Sequence, residues 1–96
     1  MLIEHPPKLN DVITIKLVGG DEVVGRLQDE RMDEYVELKS PHVIMMAQQG
    51  FGMMPFMLTA GAAAKVKISR THILAVAKTL EAVSKQYIQQ TTTLIT

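Results

Sequence analysis

Ninety-six residues suffice for one hydrophobic core and leave nothing for a second, so the chain reads as a single domain. Ten basic and ten acidic side chains cancel, which excludes a global field drawing the protein to nucleic acid or an acidic membrane; any anion binding has to be local. With no cysteine, a disulfide framework, a thiolate nucleophile and a thiolate metal site are excluded as well.

Residues 1–11 read as an N-terminal arm. Met1 to Pro7 carries no basic segment followed by a long apolar run, so no signal peptide is expected. Ile13, Ile15 and Leu17 alternate with Thr14, Lys16 and Val18, the period-two signature of a strand with one buried face. Gly19-Gly20 before Asp21 suits a tight hairpin with both glycines free to take positive φ. In the second strand Val23, Gly25 and Leu27 share a face, and Gly25 removes a side chain where a small barrel bends.

Gln28 to Glu34 carries five charged residues and reads as a solvated connection. Val36 and Leu38 point inward in strand three, and Pro41 is expected to break or bulge the ladder because it has no N–H to donate. An apolar extension from His42 to Ala47, a turn over residues 48–52 and a return over Met53 to Leu58 predict a long Met-rich hairpin within residues 41–60. The apolar run Val43 to Ala47 is too short to span a membrane, and a cytoplasmic protein is expected.

Val66 and Ile68 mark strand four. Ile73 to Ala77 marks strand five after the short Ser69-Arg70-Thr71-His72 connection, which closes the barrel portion at about residue 78. Thr79 is placed to cap a helix over 80–90, with Leu80, Val83, Tyr87 and Ile88 at helical spacing as its apolar residues. Residues 91–96 are left as a tail or a short added strand. The expected fold class is mainly β, a small and strongly bent five-stranded open barrel with one C-terminal helix.

The pattern Ile13-x-Ile15-x-Leu17-x-x-Gly20-x-x-Val23-x-Gly25-x-Leu27, with Leu38 ending strand three, resembles the first motif of the Sm-like (LSm) family. Ile68-Ser69-Arg70-x-x-Ile73-x-x-Val76 is similar in spacing to the second. The likeness covers residues 12–38 and 66–77, and chain length and the Met-rich hairpin look like Sm-like proteins of marine cyanophage origin. By position the family's motif Asp falls on Arg31, its base-stacking aromatic on Asp33, its Asn on Tyr35 and its Arg-Gly pair on Ser69-Arg70. The skeleton is thus kept where the nucleotide pocket is not.

The resemblance implies a homo-oligomeric ring of about five to seven subunits in which strand five of one copy adds to strand four of the next. It also places the connections after strands two and four at the pore, which makes Arg31, Tyr35, Arg70 and His72 candidates for contacting single-stranded RNA or DNA. Lys67, with Lys65, reads either as an extension of that basic surface or as an ordinary solvent-facing lysine. For Arg31 and Tyr35 the plain alternative is a solvated turn and a strand aromatic. His5, His42 and His72 are too scattered for a metal site. No nucleophile elbow, paired-carboxylate cleft or phosphate-cradling glycine loop appears, so neither an enzyme nor a cofactor is expected. The rival expectation is a structural or protein-interaction oligomer, a phage accessory component without nucleic-acid binding.

Overall fold

The computed structural model describes residues 6–93. Six strands form one antiparallel sheet: β1 (Val12–Leu17), β2 (Glu22–Leu27), β3 (Tyr35–Ala47), β4 (Gly50–Pro55), β5 (Lys65–Ser69) and β6 (Ile73–Lys78). A single 3-10 turn, Arg70–His72, joins β5 to β6, and helix α1 (Glu81–Thr93) follows. The sheet order is β4-β3-β2-β1-β6, with β5 also on β3. Five strands are those anticipated for the barrel, and the sixth is the return of the Met-rich hairpin.

Alternation decides the core. Ile13, Ile15, Val23, Leu27, Val36, Leu38, Ile68 and Ile73 form one buried cluster. Ile68 on β5 and Ile73 on β6 come from the two ends of the strand order, so the sheet curls until its ends meet over a common core without pairing. The result is a strongly bent, open sheet.

Two devices make the bend. The β1–β2 connection is four residues, 18–21, in which Gly20 alone takes positive φ, at 104°; Gly19, expected to share that role, does not. At the centre of β2, Arg26 pairs with Lys39 and Val24 with His42, so Gly25 stands opposite two residues, Ser40 and Pro41. This is the bulge anticipated at Pro41, and Ser40 absorbs it at φ 52°. A Cβ on Gly25 would lie 2.9 Å from the Leu38 Cβ, so a close approach of strands demands glycine there.

β3 is long because it serves two partners on one side. Tyr35–Lys39 pairs with Ser69–Lys65, and His42–Ala47 pairs with Pro55–Gly50. The hairpin return starts at Gly50 and not at Met53 as expected, because Gln48-Gln49 alone make the turn and Ala47 pairs directly with Gly50. The loop from Phe56 to Ala64 folds back on the bulge: Phe56 N–H donates to the Pro41 carbonyl, Ser40 N–H to Ala64, and Ser40 Oγ to Ala62.

The other face of the sheet is covered by α1. Val24, His42 and Tyr87 are fully or almost fully buried there, and the Tyr87 hydroxyl donates to the carbonyls of Lys39 (2.8 Å) and Ser40 (3.0 Å). The helix continues to Thr93, so residues 91–93, anticipated as tail, are helical. Its expected apolar face is corrected too: Tyr87 is buried, whereas Leu80 is 77% and Ile88 38% exposed. Thr79 lies two residues before the first helical residue, its hydroxyl 2.8 Å from that of Thr14 on β1. The remaining tail (94–96) and Met1–His5, with the histidine at position 5, lie outside the described residues. No helix among the described residues is long and apolar enough to cross a membrane.

Candidate nucleic-acid interface

The connection after β2 is organised by Asp29, which the sequence reading passed over as one of several solvated charges. Its carboxylate accepts the Arg31 backbone N–H at 2.9 Å, the Arg31 guanidinium at 3.4 Å and the Tyr35 hydroxyl at 3.5 Å. The short backbone bond is the leading reason its pKa is lowered, followed by the side-chain bond from Arg31. An Asp two residues before an exposed Arg is a common turn-former, which is the only signal the sequence carried.

Tyr35 lies on the face of β3 away from the core, in register with Ser69. Lys67 shares that face, and its Nζ sits 4.8 Å from the centre of the Tyr35 ring, a cation-π contact. Arg70 N–H donates to the Glu34 carbonyl at 2.9 Å, tying the β5–β6 turn to the end of the charged connection. Arg31, Tyr35, Lys67 and the Arg70 backbone therefore converge, although their codes are scattered over forty residues of sequence.

His72 joins a different group. Its carbonyl accepts the Val18 N–H from the β1–β2 loop, and its Nδ1 is 3.3 Å from the Thr71 hydroxyl. The imidazole borders a cleft of about 280 Å³ whose other walls include Leu17, Gly19, Phe56 and Ile68. It is thus placed beside an apolar cleft, and the Thr71 hydroxyl, 2.9 Å from the Ser69 hydroxyl, links it to the register partner of Tyr35.

The electrostatics of the convergent group are mixed. Asp29, Glu30, Asp33 and Glu34 stand in the same connection as Arg31. Arg31 is spent in part on Asp29, while Glu30 is engaged by the N-terminal arm through the Leu9 N–H at 3.0 Å. Three cations against four carboxylates make a patterned surface, not a basic one.

His42, expected only as the start of an apolar strand and as one of three scattered histidines, is a buried polar residue. It is 2% exposed, its Nδ1 is 2.8 Å from the Ser40 carbonyl, and its ring meets Tyr87 edge-on at 5.7 Å. Its Nε2 is buried without a hydrogen-bond partner among the described residues. Among the described residues no three His, Asp or Glu side chains group as metal ligands. No model of a known protein family matches this chain, and no curated protein matches its sequence.

Proposed function

We propose that this chain is a non-enzymatic, Sm-like protein that assembles into a homo-oligomeric ring of about five to seven copies and binds single-stranded nucleic acid, RNA foremost, at its rim. The observation that carries the reading is the pair of unpaired strand edges: among the described residues, β5 is bonded only to β3, and β6 only to β1. A helix that sealed either edge would remove the reason to assemble, but α1 lies on the face of the sheet over His42 and Val24. On β6, Leu74 is 66% exposed, as befits a strand awaiting a neighbour. Because β5 and β6 are different strands of one chain, joining them between copies is a head-to-tail contact that closes by rotation.

The nucleic-acid half of the proposal is supported by Lys67 against Tyr35, beside Arg31 and Arg70. Repeated around a ring, each subunit adds two arginines, a lysine and an aromatic face, enough to grip phosphates and stack a base despite zero net charge. Such a ring would act in RNA or DNA processing in the cytoplasm, that of the host if the gene is a phage's. The second reading, a structural ring that binds other proteins, is favoured by the four carboxylates of residues 29–34.

Light scattering at micromolar concentration tests the assembly: a mass of about 53–74 kDa is expected from a chain of 10.6 kDa, and a monomer sinks it. Fluorescence anisotropy with labelled oligo-U and oligo-A at two salt concentrations tests the ligand. Salt-sensitive binding that Arg31→Ala with Arg70→Ala abolishes is expected; an intact ring with no binding at low salt selects the structural reading.

A further inference from the structure

We infer that His42, Met53 and Met57 form a binding site for a soft monovalent metal ion of the copper(I) class, a site that requires no second copy of the chain. His42 Nδ1 sits 2.8 Å from the Ser40 carbonyl, which can only accept, so Nδ1 carries the proton and Nε2 holds a bare lone pair. That Nε2 has no hydrogen-bond partner among the described residues, in a side chain that is 2% exposed. A buried imidazole fixed through one nitrogen to a backbone carbonyl and bare at the other is the arrangement that metal-ligating histidines take.

The strand register supplies sulfur on both sides of it. His42 pairs with Pro55, and Phe56 N–H donates to the Pro41 carbonyl, so the hairpin ladder runs one bond beyond Pro55. Met53 and Met57, two residues to either side of Pro55, are therefore the diagonal neighbours of His42 on its own face. Diagonal neighbours stand about 7–8 Å apart, a separation that long side chains bridge. His42 and Met57 border the same cavity of about 160 Å³, whose other walls include Pro41, Pro55 and the small residues of the 60–64 segment. The Ser40 hydroxyl on that cavity is already committed to the Ala62 carbonyl at 2.7 Å. Met57 is 46% exposed, and its flexible chain gives an ion a way in from solvent.

The donor set names the ion. No Asp, Glu, Lys or Arg occurs from Ser40 to Ala64, so this segment offers no carboxylate to a hard divalent cation. Thioether sulfur with imidazole nitrogen selects copper(I), and a neutral, buried site holds one positive charge at less cost than two. The three histidines are too scattered to make a site among themselves; cross-strand pairing brings methionine to the one that is buried.

Silver(I), the air-stable stand-in for copper(I), is the probe, and with no cysteine in the chain no thiol competes for it. Titrated into the whole chain and followed by imidazole-nitrogen and methionine-methyl resonances, silver(I) should shift His42 Nε2 and the Met53 and Met57 methyls together. Met53→Leu and Met57→Leu nearly keep the side-chain volume and remove the sulfur, so the fold survives and each should weaken binding by about tenfold or more. Met46→Leu, at a side chain 84% exposed near the hairpin tip, should leave the affinity unchanged. Silver(I) shifts at His5 or His72 without His42 overturn the site, as does an affinity that either Met53→Leu or Met57→Leu leaves unchanged. Zinc(II) binding at His42 as tightly as silver(I) overturns the assignment of a soft ion.

Discussion

At the scale of single residues, Gly25 and Ser40 set the shape of the molecule together. Ser40 is held at four points: its N–H and hydroxyl bond to the 56–64 loop, and its carbonyl accepts from both Tyr87 and His42. Opposite it, Gly25 lets the strands close to a distance no Cβ tolerates. The obstructing atom is the Leu38 Cβ itself, fixed to the backbone, so a rotamer change on Leu38 gives no relief. Gly25→Ala is therefore expected to destabilise by about 1–3 kcal/mol, the usual cost of overpacking, read as a lower urea midpoint with an unchanged slope. Gly25 was legible in the sequence as a bend; Ser40 was not, because all but one of its partners, Ala62, Ala64 and Tyr87, lie more than twenty residues away on two other segments.

Among the elements, α1 shows how far helical spacing carries and where it stops. Spacing foretold a helix after β6, yet only Tyr87 of the four spaced apolar residues is buried. Tyr87 is the anchor. Burial pushes its pKa up to about 12. The neutral phenol is the form the fold favours, so its contribution is complete below about pH 10, where the unfolded tyrosine still keeps its proton, and is lost as pH rises through about 12. Tyr87→Phe removes the hydroxyl that serves Lys39 and Ser40 and should cost about 1 kcal/mol at neutral pH. The same variant should lose less stability than wild type between about pH 10 and 12, measured by chemical denaturation at each pH.

For the whole molecule, the decisive property is that, among the described residues, the curled sheet ends in two unpaired edges, with Leu74 exposed on β6. An isolated domain with this surface has reason to associate, and association with itself links stability to concentration. The thermal midpoint should rise measurably across a hundredfold increase in protein concentration, followed by circular dichroism or calorimetry. A midpoint independent of concentration would mark a domain that keeps its edges bare. The proposed rim belongs to this scale too, because Arg31, Tyr35, Lys67 and Arg70 would gain strength against phosphates only if repeated around a ring.

Sequence alone determined the strands of the core, the glycine at the bend, the bulge near Pro41 and the presence of a final helix. Each of these is written in local alternation, turn chemistry or spacing, which act over a few residues. Tertiary structure alone decided that Asp29 organises the charged connection, that Lys67 covers Tyr35 while His72 borders the apolar cleft, that β4 and β5 share one side of β3, and that α1 lies on the face of the sheet. Those outcomes depend on which distant segments meet, and the period of a strand fixes which side chains share a face without naming what that face will touch.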